Sequence, residues 1–285
     1  MSKKAMRLSF RLRARLRVRR ICLGNTDDRA QALVATLAPL EGRMPLPSPH
    51  GILYACCNDS YFERYARVFI RSARENSPSQ SLHLHLFDPS PSTLAALDSI
   101  GSDAAFPLTF SWERLSRADA ALTGGLYFVC ARFVRLWQLL EAARSPILAV
   151  DCDTVIRNPL THALRQHERE DIALYLRLEK PEWRRVMAAA VLARPTLLGR
   201  RFMRDCAATF VECIHSEALE ATDQLILYLL WRWYQRHVPG FLCGTLTRRF
   251  SDWHYEDASL IWHEKGSGLK GTLPVWRLFG EAQND

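Results

Sequence analysis

The chain has 285 residues and carries 38 lysines and arginines against 30 acids, a formal charge of +8, with 48% hydrophobic and 24% charged residues. That balance is too apolar for a disordered chain, and the length suits one large α/β domain or two small ones. No apolar run approaches the ~20 residues needed to cross a bilayer as a helix.

The charge is unevenly placed. Lys3, Lys4, Arg7, Arg11, Arg13, Arg15, Arg17, Arg19 and Arg20 are bases, with no acid before residue 21. Removing them leaves a body with one more acid than base, so the chain reads as a near-neutral globule with a basic arm over 1–20. From Arg11 to Arg19 an Arg recurs at every second residue. This breaks up the apolar core that a signal peptide needs. At period two the arm separates a basic from an apolar face as a strand. Three readings stay open for it: a tether to an anionic membrane surface, which is favoured, an RNA-binding tail, or a disordered solubility tail. The expected location is cytoplasmic, with peripheral attachment to the inner membrane face as one option.

Residues 21–38 suit a short helix, and Pro39, Pro45, Pro47 and Pro49 mark a linker that cannot be helical. The run 51–57 reads as a buried strand, and 60–75 as a helix with one face inward. Leucines 82, 84 and 86 alternate with His83 and His85, as on an edge strand with the histidines exposed. A helix over 92–100, a strand over 106–110, a strong helix over 126–143 and a strand over 147–150 follow. The second half predicts strands at 172–176, 186–192 and 260–263, and helices at 197–215 and 218–237. Alternation of this kind argues for one domain over 51–285, with a mostly parallel sheet and helices on both faces. Eight cysteines without a CxxC pair read as small buried hydrophobes in a reducing compartment. Trp231, Trp233 and Tyr234 read as core packing, with an acceptor- or membrane-facing patch as the alternative. Residues 179–185, with Trp183, suit a loop over a site.

The strand 147–150 runs straight into Asp151-Cys152-Asp153. Two carboxylates one residue apart at a strand end can face one hard cation, and a cation can hold a diphosphate. On its own the motif equally describes a solvated turn.

Its surroundings are more specific. Ala131-Arg132-Phe133 precedes the apolar strand, and Asn158-Pro159-Leu160 closes the segment after it. Asn58-Asp59-Ser60-Tyr61 follows the first strand. Later come Val191-Leu192 with Arg194-Pro195-Thr196, then Thr222-Asp223-Gln224, and finally Trp262-His263-Glu264-Lys265-Gly266 with Lys270. In this order the segments resemble the retaining GT-A glycosyltransferases of family-8 type over about residues 51–275. The resemblance implies the GT-A fold and a hexosyltransferase using a nucleotide-diphosphate sugar, UDP-linked in the first instance, with a glycan or lipid-linked acceptor and Mn²⁺ or Mg²⁺. It implies Asp151, Asp153 and His263 as metal ligands, and a His beside carboxylates favours Mn²⁺. It assigns Cys56, Asn58, Tyr61, Arg132, Lys265, Gly266 and Lys270 to the nucleotide-sugar, and Asp223 and Gln224 to the reacting sugar.

Each assignment has a plainer counterpart: a satisfied strand-end ring for His263, a helix cap for Asp223, a structural ion pair for Arg132. The chain also departs from the family pattern. It has Ala188-Ala189-Ala190 where an Asn-Ala-Gly stands, Leu225 after Gln224, and one extra residue before Lys270. A protein that binds a nucleotide-sugar without transfer is the first rival, and an RNA-associated protein acting through its arm the second, less favoured, one.

Overall fold

In the computed structural model the described residues are 3–102, 106–115, 126–216 and 222–263. At their centre is an eight-stranded sheet. In chain order its strands are β1 (Glu41–Gly42), β2 (Ile52–Cys57), β3 (Ser81–Phe87), β4 (Leu108–Glu113), β5 (Ile147–Val150), β7 (Ile172–Leu176), β8 (Val186–Ala193) and β9 (Cys243–Thr245). In space they run β1-β4-β3-β2-β5-β8-β7-β9, and a separate pair joins β6 (Thr154–Ile156) to β10 (Ile261–His263). The half containing β4, β3, β2 and β5 is parallel, whereas β8 runs antiparallel to both β5 and β7. Continuous apolar runs such as Ile52–Ala55 and Ile147–Val150 are buried on both sides, as a covered parallel sheet demands.

The chain order makes a switch in this sheet. From β2 it winds through β3 and β4 on one side, then crosses to β5 on the other side of β2. At such a point two neighbouring connections leave in opposite directions and open a crevice at the carboxyl ends of the strands. Register fixes what stands there: Tyr54 is level with Ala149, so Cys57 and Asp151 end adjacent strands.

The helices are α1 (Lys3–Gly24), α2 (Asp27–Val34), α3 (Arg67–Asn76), α4 (Pro91–Gly101), α5 (Leu126–Ala143), α6 (Thr161–Arg165), α7 (Leu197–Ile214) and α8 (Thr222–His237). The chain enters α3 through a turn at Asp59–Tyr61 and a π-helical stretch at Phe62–Ala66. One apolar cluster joins α1, α5, α7 and α8 to one sheet face, and a second fills the other face beneath α3 and α4. Phe202, Tyr234 and Phe241 pack ring against ring, so Tyr234 is core, while Trp231 and Trp233 are partly buried against the same cluster.

Three expectations are corrected. The basic segment is helical and not a strand, because the domain offers an apolar surface that only one helix face can meet: Phe10, Ala14, Val18 and Ile21 are buried at spacings of four, four and three residues. His83 and His85 are fully buried, since β3 lies inside the sheet between β4 and β2 and α5 packs on its histidine face, where Phe87 meets Tyr127 and Phe128. Their ring nitrogens meet Thr109 Oγ1 and Ser111 Oγ at 2.9 Å, and burial lowers the His83 pKa to about 3. Burial likewise holds His85 neutral beside the interior ion pair of Glu113 with Arg135. The residues before β2 also hold more structure than a linker: α1 continues to Gly24, α2 follows, and β1 pairs with β4. All eight cysteines are free thiols, six of them buried.

Candidate functional site

A cavity of about 460 Å³ opens at the switch point. Its walls include Asn58 and Tyr61 after β2, Arg132 and Phe128 from α5, Asp151 and Asp153 after β5, and Asp223 at the start of α8. Seven of the sequence-derived site residues, these six polar ones and Cys56, meet in this one space.

Asp151 leaves β5 with its N–H donating to Ala189 O across the antiparallel neighbour at 3.3 Å. Its own carbonyl accepts Thr154 Oγ1 at 2.8 Å, a turn that starts β6 at once. β6 then pairs with β10 so that His263 stands opposite Thr154. This pairing carries a residue from late in the chain to the Asp151-Cys152-Asp153 turn.

His263 is buried, and burial lowers its pKa while Asp151 and Asp153 act in the opposite sense. Its Nε2 faces Phe250 O at 3.4 Å, and a carbonyl only accepts. The neutral ring therefore carries its proton on Nε2 and its lone pair on Nδ1, the arrangement that a carbonyl behind a ligating histidine enforces. In chemical type, two carboxylates and one neutral imidazole suit a divalent cation. In the arrangement seen, Arg132 engages Asp151, and no group of three or more His, Cys, Asp and Glu among the described residues is drawn together enough to hold an ion.

Arg132 is the hub of the cavity. Its Nη1 pairs with Asp151, and its Nη2 lies 2.9 Å from Asp223 Oδ2 and 3.1 Å from Ala188 O. Only 14% of the side chain is exposed. Both neighbouring carboxylates raise its pKa against the opposing effect of burial, so the guanidinium stays charged. Asp223 has its pKa raised by burial, with Arg132 restraining the rise. The ion pair named as the plainer counterpart for Arg132 is present, and it joins the two acids on opposite walls. Asp223 is also a first-turn residue whose Oδ1 accepts the Gln224 N–H at 2.7 Å.

Gln224 stands just outside the cavity lining, and its Oε1 is buried with no hydrogen-bond partner among the described residues. Asn58 caps the turn at Asp59–Tyr61, its Oδ1 accepting Tyr61 N–H at 3.0 Å. The π-helical stretch that follows is a local departure of the kind that accompanies functional sites. Burial pushes the Cys56 thiol up to about 12, so it is an apolar wall and no nucleophile at neutral pH.

One predicted piece falls elsewhere. Arg194-Pro195-Thr196 lies beyond the end of β8 that pairs with Ile147, at the opposite end of the sheet from Asp151. The residues of β8 beside the site are Ala188–Ala190, with Ala190 level with Val150. Lys265, Gly266 and Lys270 lie outside the described residues. The cavity also uses Phe87, Phe128, Val129 and Cys57. Phe87 and Cys57 are strand-end residues, which the parallel topology could have flagged; Phe128 and Val129 gave no signal apart from their helix.

No protein-family model matches the sequence, and no curated protein matches it either. Solved structures do. The galactosyltransferase LgtC in complex with donor and acceptor sugar analogs aligns with a TM-score of 0.56 at 15% identity, over 82% of this chain and 97% of that one. The glycosyltransferase GlyE of Streptococcus pneumoniae TIGR4 aligns at 0.57 and 15% identity, over 80% of this chain and 59% of that one. The chain has the GT-A fold. At this identity the likeness is one of architecture, and the GT-A sheet here carries the crevice just described at its switch point.

Proposed function

We propose that this chain is a metal-dependent glycosyltransferase of family-8 type, moving a hexose from a UDP-sugar to a glycan or lipid-linked acceptor with retention of anomeric configuration. The observation that carries this reading is the gathering of Asp151, Asp153, Arg132, Asp223, Asn58 and Tyr61 around one cavity at the sheet's switch point. The GT-A fold supports it.

The reaction breaks the bond between the anomeric carbon and a phosphate oxygen and forms one to an acceptor hydroxyl oxygen. The acceptor proton passes to the leaving phosphate oxygen, on the same face, so no protein nucleophile is required. Asp151, Asp153 and His263 would hold Mn²⁺ or Mg²⁺, which would supply positive charge beside the diphosphate. Asn58 and Tyr61 border the nucleotide end. Arg132 fixes Asp151 and Asp223 relative to each other, so a sugar between them meets preorganised charge. Gln224 brings a buried amide oxygen free to accept from a sugar hydroxyl once the side chain turns inward. Lys265 or Lys270, with the backbone of Gly266, would add charge at the diphosphate.

A second reading is favoured by one feature. Ala188–Ala190 puts methyl groups beside Arg132 where the resembled family holds a sugar with an amide, which suits binding of a donor without transfer. A thermal-shift panel of nucleotide-sugars with Mn²⁺, followed by turnover of those that bind, tests both. Stabilisation plus turnover supports the transferase, stabilisation alone the second reading, and neither overturns both.

A further inference from the structure

The period-two alternation of the basic segment gains a new meaning once it is helical. Apolar residues two apart cannot share a helix face, because two residues turn the helix by about 200°. The series therefore splits. Phe10, Ala14, Val18 and Ile21 face the domain and are buried. Leu12, Leu16 and Leu23, spaced at four and seven residues, point away from it, at 58%, 57% and 68% exposure. Packing accounts for the inner set only. The outer set is a leucine ridge on the far side of a helix that is already docked.

The arginines divide in the same way. Arg15 pairs with Glu182 at 2.7 Å, Arg17 with Glu212 at 3.3 Å, and Arg11 lies over the Trp183 ring at 3.7 Å, all holding α1 to the domain. Arg13 and Arg19 flank the ridge, exposed and without an ion pair among the described residues. A leucine line with unpaired arginines beside it matches a surface that is apolar at depth and anionic at its rim. A bilayer with acidic headgroups has that profile; a nucleic acid offers the charge without the apolar layer.

The helix also sits at a telling end of the fold. Glu182 and Trp183 belong to the connection from β7 to β8, at the end of the sheet where Leu176 pairs with Val186. That is the same end as the carboxyl terminus of β5 and the cavity, because Val150 pairs with Ala190 of β8. Arg17 Nη2 further reaches Ser216 Oγ at 3.2 Å, six residues before Thr222 opens α8.

We infer that the outer face of α1, through Leu12, Leu16 and Leu23 with Arg13 and Arg19, docks this protein flat on an anionic lipid surface. The attachment is a rigid face of the domain, so it fixes the cavity's end of the sheet relative to the membrane. It is independent of the transfer chemistry, and its test contains no donor.

The full chain is sedimented with vesicles of phosphatidylcholine alone and of phosphatidylcholine mixed with phosphatidylglycerol. It is expected to pellet with the mixed vesicles and stay in solution with the neutral ones. Leu12→Ser/Leu16→Ser/Leu23→Ser, with an unchanged melting temperature, should lower partition by ~10-fold or more, and Leu16→Ser alone by a few fold. Arg13→Gln/Arg19→Gln should weaken binding at low salt and resemble the parent at high salt. Failure of the unmodified chain to pellet with mixed vesicles overturns the inference. So does equal binding by the leucine variants, which would leave only the charge contact that a nucleic acid shares. A dimer in light scattering that becomes a monomer in the triple variant would assign the ridge to a second copy and overturn it as well.

Discussion

Arg132→Met removes the charge that holds two acids together while keeping most of the side chain's volume. Asp223, whose side chain is 11% exposed, then faces Asp151 without a cation, and Ala188 O loses its donor. Removing one partner of a buried ion pair costs about 3–5 kcal/mol. Asp151 is 34% exposed, so water takes up part of its share, and the lower end, ~3 kcal/mol, applies. In a chain of this size that is a fall in melting temperature of ~6 °C, at ~2 °C per kcal/mol. The sign of the pH dependence follows from Asp223. Its folded pKa lies above the unfolded value, so its contribution is whole below the ordinary carboxylate range and is lost as pH rises through the folded pKa. Arg132 limits that loss and its removal enlarges it. The deficit of Arg132→Met should therefore be small near pH 4 and grow toward pH 8, and Asp223→Asn in the same background should recover much of it. Melting curves by circular dichroism across that range measure this. A variant within a degree of the parent at pH 8, or a deficit that does not change with pH, would refute the pairing argument.

Gly199→Ala should destabilise by about 1–3 kcal/mol in urea titrations, because the added Cβ would meet Asp171 O at 2.7 Å and also Arg194 O, neither of which can move without shifting backbone. Asp205→Ala should cost about 3–5 kcal/mol. That carboxylate is buried and accepts from Tyr234 at 2.6 Å, Asn25 at 2.9 Å and Arg204 at 3.1 Å, joining the segment after α1 to α7 and α8. The loss, read from the same titration, should exceed that of Tyr234→Phe, which leaves the acid two of its donors.

Much of the cavity lining was legible because it depends on strand ends. An apolar run ending in Asp151-Cys152-Asp153 places carboxylates at a sheet's carboxyl edge whatever the neighbouring strands are, and Arg132 sits on the helix that leads into that strand. The alternation of strands and helices from β2 to β5 was readable for the same reason. The errors arose where a residue's setting is decided by a partner far away in sequence. Histidines alternating with leucines mean an exposed face only if no helix packs on it, and α5 packs there. The passage Arg194-Pro195-Thr196 belongs to the segments that carry the resemblance, but the antiparallel direction of β8 carries it to the end of the sheet opposite Asp151. The basic segment misled most. Its period of two is a strand signal in isolation, yet Phe10, Ala14, Val18 and Ile21 also fit one helix face, and the surface of α7 and α8 selected that fit.

The central claim is that the cavity around Asp151 and Asp153 binds and turns over a nucleotide-sugar. Release of UDP from a panel of UDP-hexoses in Mn²⁺, compared between the unmodified chain and Asp153→Ala of equal melting temperature, tests it most directly. The account predicts UDP release by the unmodified chain from at least one donor, falling to background in Asp153→Ala. No release from any donor, or release that Asp153→Ala leaves unchanged, would contradict it.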